Sequence, residues 1–367
     1  MSLYDLVFEG GGAKGSVFVG AMTAFYRQGH TTRRLIGTSA GAITATLLAA
    51  GFTPEQMRAV VNEQKDDGQP RFATFMDVPK QVDFDQTTIN NSDTMSIFKH
   101  VDVPFLPTWI SASLHNQLIN ALMQLPDYRQ LFCFVECGGL FAGNEFLNWI
   151  KEQLVKKGFD PNITLAAFNA EINNELSLVA SDTDGHAMLV LNHRTAPDCP
   201  VAWAVRMSMS IPFVWREVVW QAGWGNYLGQ NISGHRIVDG GVLSNFPIAL
   251  VDKQPLPGSY EEQVMGNTVA DDARTMGLLI DETLKVSGQP NQPKPNVIGA
   301  LKTVQRVTRL IDTMTGSRDN VEILLHKNLV CRLPAQGYGT TEFNMNQVRL
   351  NALIQAGDDS MSVFLHT

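Results

Sequence analysis

No apolar run in the 367-residue sequence approaches the roughly 18 residues of a membrane span, which excludes an integral membrane protein of helical type. The opening MSLYDLVFEGG lacks a basic region, an apolar run and a small-residue cleavage site. No secretory signal is therefore expected, and a cytoplasmic location is. Cysteine is scarce: Cys133, Cys137, Cys199 and Cys331 are too few and too scattered for a disulfide framework and are expected to be free thiols. Cys133 and Cys137 could share a helix face, but no histidine lies at zinc-like spacing, so no metal site is expected. Positive charge is also short. A net charge of −8 excludes a nucleic-acid partner and gives no bulk attraction to anionic lipid, leaving only local, apolar contact with a membrane surface. There is no internal repeat and no low-complexity tract.

What is present is a globular composition, 44% hydrophobic and 17% charged, in a chain long enough for a sizeable core. Its first fifty residues are the most informative. LYDLVF (3–8) reads as a strand running into the glycine loop Gly10-Gly11-Gly12-Ala13-Lys14-Gly15, and Val17 to Phe25 as a buried helix ending near Gly29. A second strand ends in LIGTSAG, where Ser39 stands between Gly37 and Gly41 before an alanine-rich helix. A serine on a sharp strand-to-helix turn needs small neighbours, because bulky side chains would collide where the strained backbone reverses. Strand, loop, helix, strand, helix opens a parallel α/β sheet, whose ligand sites lie at the carboxyl ends of the strands.

Further on, Thr53-Pro54-Glu55-Gln56 starts a third helix. Residues 66–137 read as an insertion or lid, with a helical stripe of Trp109, Ile110, Leu114, Leu118, Leu122 and Leu125 that packs on its own domain or covers a site. Phe146, Leu147, Ile150 and Leu154 make one face of another helix. ITLAAFNAEI and ELSLVAS then read as a hairpin or closely spaced strand pair, followed by the strand MLVLNH. PVAWAVRMSMSI is helical, VWREVVW a strand, and HRIVDGG a strand ending at Asp239-Gly240-Gly241. TMGLLID is a strand, Leu301 to Met314 a long amphipathic helix, NLVCRLPAQ an edge strand, and a terminal helix begins near Asn346. This reading gives one domain over 1–367, with a core of about 3–60 and 138–282 and a C-terminal extension over 283–367.

Two loops at one sheet edge divide the chemistry between them. Backbone N–H groups of Gly10, Gly11 and Gly12 at a helix N-terminus favour an oxyanion, and Ser39 would attack a carbonyl held there. The same loop also satisfies G-x-G-x-x-G, so a dinucleotide-binding module is the competing reading. That reading expects an acidic residue about twenty positions on, and none occurs between Gly15 and Glu55. A Walker loop fails because Lys14 precedes Gly15. A nucleophilic serine needs a base. The eight histidines have no distinctive surroundings, and a Ser-His-Asp esterase would require His326 or His366. Asp239, at a strand end before two glycines, is the better candidate.

GGGAKG (10–15), GTSAG (37–41) and DGG (239–241), in that order, strongly resemble the motifs of the patatin-like phospholipase family, as does RMSMSIPFVWREV (206–218). Lys14 replaces the commoner arginine, keeping the charge but losing the planar fork. The resemblance implies a three-layer α/β/α patatin-like fold with a mainly parallel central sheet and an inserted lid-like region. It implies a lipid acyl hydrolase, phospholipase A or lysophospholipase, with Ser39 as nucleophile, Asp239 as proton acceptor and Gly10 to Gly12 as oxyanion hole. Lys14, Gly15, Gly37, Gly41, Gly240 and Gly241 support the motifs, and no cofactor or metal is implied. The implied substrate is a phospholipid or other acyl lipid, which leaves room for peripheral membrane contact. The insertion itself, an apolar helical stripe joined to a polar stretch as in mobile lids, leaves open an activating partner or ligand that opens 66–137. An ordinary aspartate has a pKa about three units below neutrality, roughly 4 kcal/mol short in driving force, so Asp239 is expected to be largely desolvated.

Overall fold

The computed structural model describes residues 1–84, 86–94, 119–251, 256–266, 272–288 and 323–366. β1 (Leu3–Phe8) leads through a 3-10 turn (Gly12–Ser16) into α1 (Val17–Arg27), and β2 (Thr31–Thr38) leads into α2 (Ala40–Ala49) and α3 (Pro54–Val61). Next come α4 (Gln86–Asn90), α5 (Pro126–Cys137), β3 (Gly139–Phe141), α6 (Asn144–Lys156), α7 (Leu165–Glu171), β4 (Glu175–Asp182) and β5 (Ala187–Leu191). After α8 (Val201–Ser208) lie β6 (Phe213–Trp215), β7 (Val218–Val219) and β8 (Arg236–Asp239). The chain closes with α9 (Tyr260–Met265), β9 (Ala273–Lys285), β10 (Val330–Gln336) and α10 (Gln347–His366).

Eight strands form one sheet in the order β10-β9-β1-β2-β4-β8-β7, with β5 on β4, while β3 and β6 pair separately. The five strands from β10 to β4 are parallel, and β5, β8 and β7 add antiparallel pairings. A mainly parallel sheet must be covered on both faces, and its strands are accordingly apolar on both. Leu6, Phe8, Leu35 and Leu178 join the larger core under α1, α2 and α10, whereas Val7, Ile36 and Val179 join a second core with Phe246, Ile248 and α9. The result is the layered α/β architecture expected from the sequence.

Three readings change. ITLAAFNAEI is not a strand: Thr164 caps α7 by accepting the Ala167 N–H at 3.3 Å, and only the following segment joins the sheet as β4. A short apolar run does not distinguish helix from strand by period, and its alanines favour helix once a cap is available. In the insertion, Trp109 to Leu118 and the helix read over Leu301 to Met314 lie outside the described residues. Leu125 is exposed, and Ile119 and Met123 form the buried face instead, packed with Phe84, Ile89, Phe132 and Cys133 in a small separate core. The insertion is tied to the main body at Asp77, whose carboxylate accepts Gly143, Asn144 and Glu145 N–H at 2.6, 3.0 and 3.2 Å, capping α6. The C-terminal stretch is woven into the core, since β10 pairs with β9 and α10 packs on α1.

Candidate active site

Sheet register brings the motifs together. Phe8 lies beside Gly37 on one side and Leu278 on the other, so the loops after β1 and β2 leave the same edge while β9 runs on past them. β8 runs the opposite way, with Asp239 opposite Ala180, one residue from Val179, which pairs with Thr38. Its end therefore comes down to the level at which β2 ends. Gly10, Gly11, Gly12, Lys14, Ser39, Asp239 and Gly241 all line one cavity of about 200 Å³.

Ser39 adopts φ 52° and ψ −116°, a strained conformation for a residue with a side chain, and it precedes the first turn of α2. The turn closes only because its neighbours are small. A Cβ on Gly37 would lie 2.2 Å from Gly41 O, and one on Gly41 would lie 2.2 Å from Phe8 O. Gly15 admits α2 in the same way, its absent Cβ falling 2.6 Å from the Ala40 Cβ. The strained serine is held through its backbone: Ser39 N–H donates to Ser208 Oγ at 3.0 Å, and that hydroxyl donates to Val179 O at 2.6 Å.

Asp239 is only 5% exposed, as is Ser39. Its backbone N–H donates to Ser210 O at 2.9 Å, and its Oδ1 accepts Gly241 N–H at 2.7 Å. Oδ2 is buried and closes no hydrogen bond of ordinary geometry among the described residues. Burial pushes the carboxyl up to about 7, while the nearby Ser39 hydroxyl and the Gly241 amide hold the rise down. The Ser39 hydroxyl is thus close enough to the carboxyl to act on it as a donor and hold its rise down. Gly240 permits this approach, since a Cβ there would lie 2.3 Å from Val179 O.

The glycine loop is more committed than its sequence suggests. Gly10 N–H donates to Asn245 O at 3.0 Å, which removes it from the three expected oxyanion donors. Gly11 and Gly12 remain, neither N–H donating to a protein acceptor among the described residues. Lys14 is buried and ion-paired to Glu282, using one carboxylate oxygen as a point charge does. Two cavity residues carried no motif signal of their own. Asn245 Nδ2 donates to Glu9 Oε1 and Gly10 O, both at 3.2 Å, and Glu9 Oε2 accepts Ile280 N–H at 2.6 Å. No described histidine lines this cavity. His326 borders a separate one beside Tyr4 and Arg274, and His366 ends α10.

A family model described as patatin-like phospholipase matches residues 6–252. The chain belongs to the patatin-like phospholipase family. Membership carries the general reading of a lipid acyl hydrolase. Uncharacterized protein YqhO of Bacillus subtilis (strain 168) is 28% identical over 369 residues, covering 98% of this chain and 97% of that one. Among solved structures, VipD from Legionella pneumophila is 15% identical with a TM-score of 0.46. ExoU in the ExoU–SpcU complex from the type III secretion system of Pseudomonas aeruginosa is 17% identical with a TM-score of 0.39. These matches cover 99% of this patatin-like chain in both cases, but the chain spans only 66% of VipD and 51% of the ExoU chain.

Proposed function

We propose that the protein hydrolyses fatty acyl esters of glycerolipids, as a phospholipase A or lysophospholipase, through a Ser39–Asp239 dyad and an acyl-enzyme. The observation that carries this reading is the buried, half-unpartnered Asp239 carboxyl, raised to about 7 in the same cavity as a strained Ser39. An aspartate of ordinary pKa is a poor base at neutral pH, and one near 7 is well matched to the task.

Asp239 Oδ2 takes the proton as Ser39 Oγ adds to the ester carbonyl carbon, and negative charge collects on the carbonyl oxygen facing Gly11 and Gly12 N–H. Collapse of this adduct breaks the ester C–O bond, and the departing alkoxide takes the proton from Asp239. Water then attacks the acyl-enzyme, giving its proton to Asp239, and Ser39 leaves as the alcohol when that proton returns. With a net charge of −8 the chain has no bulk attraction to anionic lipid, so the lipid would be met through local apolar contact. No described helix is long and apolar enough to cross a bilayer.

A fluorophosphonate probe with mass identification of the modified peptide is expected to mark Ser39. Wild type, Ser39→Ala and Asp239→Asn are then compared on a short-chain p-nitrophenyl ester and on phospholipid vesicles. Loss of at least about a hundredfold in both variants is expected, with free fatty acid released from vesicles by wild type only. Equal rates in all three proteins would dismiss the dyad.

A further inference from the structure

The matched family region ends at residue 252, yet Ile280, Glu282 and Thr340 also form part of the cavity wall. Thr340 belongs to the loop between β10 and α10, and its carbonyl accepts Ala13 N–H at 2.9 Å. Gly12, at φ +55°, lies directly against it, since an added Cβ would sit 2.1 Å from Thr340 O and 2.8 Å from its Cγ2. Only glycine fits there.

The loop is held by a buried ion pair. Arg349 Nε donates to Glu342 Oε1 at 2.8 Å, and Nη2 donates to Glu342 Oε2 at 3.1 Å and to Gly337 O at 2.8 Å. The guanidinium stacks 4.2 Å from the centre of the Tyr338 ring, whose hydroxyl donates back to Arg349 O at 3.0 Å. Gly339 N–H closes the loop onto Glu342 Oε2 at 3.1 Å. A buried pair of this kind roughly offsets its own desolvation, so what it contributes above all is a fixed geometry.

We propose that Thr340 is a positioning residue for the oxyanion hole, and that the Arg349–Glu342 pair serves to hold it over the glycine loop. The inference rests on the reading of Gly11 and Gly12 N–H as the oxyanion donors. By gripping Ala13 N–H, Thr340 O fixes the Gly12–Ala13 peptide plane. Its contact with Gly12 fixes the adjoining plane, which carries Gly12 N–H. The donors then point at one place before substrate arrives, and a displacement of about 1 Å is enough to cost on the order of a hundredfold in rate.

The test measures kcat and KM for the p-nitrophenyl ester, with thermal melts, in Glu342→Gln, Arg349→Lys, Arg349→Met and Thr340→Gly. Expected is a fall in kcat of about 10- to 100-fold for the anchor variants and about 5- to 10-fold for Thr340→Gly. KM stays within about twofold in all of them, because ground-state binding is not what the donors' aim controls. The midpoint of the pH–rate profile also stays where it is in wild type. Arg349→Lys, which keeps the charge and loses the fork, retains more activity than Arg349→Met. Folded Glu342→Gln and Thr340→Gly with wild-type kcat, or a loss confined to KM, would overturn the proposal. Should the anchor variants fail to fold, Thr340→Gly leaves the ion pair intact and decides alone. An active Ser39→Ala would refute the underlying reading instead, whereas inactive Ser39→Ala beside fully active Thr340→Gly refutes this inference alone.

Discussion

A carboxyl group that takes a proton from serine at neutral pH must be kept out of water, and keeping it there works against the fold. Asp239 is raised from an ordinary carboxyl value to about 7, so the folded state resists its ionisation. Its folded pKa lies above the unfolded one. The protein therefore has its full stability below about pH 4 as far as this group is concerned, and loses some as pH rises through about 7. Three units correspond to at most about 4 kcal/mol. Asp239→Asn is expected to be inactive yet more stable than wild type at pH 8, by roughly 2–4 kcal/mol, with the difference shrinking toward pH 4; denaturant melts at the two pH values check this. The hydrolysis rate itself should rise with pH to a plateau, with a midpoint near 7. Ser39→Gly should likewise gain about 1–3 kcal/mol by releasing the strain at φ 52° while abolishing acyl transfer. Both residues were legible in the sequence, because strain and close approach require the small neighbours that make GTSAG and DGG conspicuous. The commitment of Gly10 N–H to Asn245 was not, since it depends on a contact between positions 235 residues apart.

At the scale of elements, the end of α8 holds both members of the proposed dyad by their backbones. Ser208 Oγ receives Ser39 N–H and Ser210 O receives Asp239 N–H, so the segment RMSMS sets their spacing. Arg206 fixes that segment in turn. It is buried with no carboxylate partner among the described residues, and donates to Ala142 O at 3.0 Å, Gly143 O at 3.3 Å, Arg216 O at 3.2 Å and the Ser210 hydroxyl. Burial, with the charge of Arg216, pushes its guanidinium down to about 9, still protonated at neutral pH. Arg206→Met would strand Ala142 O and Arg216 O, while Gly143 O keeps the Leu147 N–H and the Ser210 hydroxyl keeps Arg206 O, and it is expected to cost about 3–5 kcal/mol. Arg206→Lys should cost less and lower kcat more than it raises KM, which melts and initial rates would show. The helical period of α1, α3 and α6 was readable because each has an apolar stripe and terminal signals. α7 and the insertion were not, because a short capped run and a stripe covering its own small core carry little that distinguishes one register from the next.

At the scale of the molecule, the proposed site is completed by chain that comes long after its motifs. β9 runs beside β1 with Leu278 level with Phe8, and α10 lies across α1, the helix that follows the glycine loop. Pairings over such separations leave no periodic trace in the sequence, which is why 283–367 reads as an extension although it supplies β10, α10 and the Thr340 loop. The crossing of α1 and α10 is made by two glycines. A Cβ on Gly20 would fall 1.7 Å from Ile354 O, and one on Gly357 would fall 2.1 Å from Val17 O, so each helix backbone fills the space a side chain would need on the other. Isolated glycine in a helix costs about 1 kcal/mol relative to alanine, so propensity alone would make Gly357→Ala stabilising. Here steric exclusion by backbone atoms, which cannot turn aside as a side chain can, should win. Gly357→Ala is expected to destabilise the fold by more than about 2 kcal/mol. It should also lower kcat, because Arg349 rides on the same helix and would be displaced with it. Gly29→Ala is the comparison: its φ of +74° carries a conformational penalty of about 1 kcal/mol, but no atom of the described residues lies within 4 Å of the added methyl. It should therefore lose a little stability and no activity. Equal melting temperatures and rates for Gly357→Ala and wild type would mean that α10 does not bear on the catalytic edge at all.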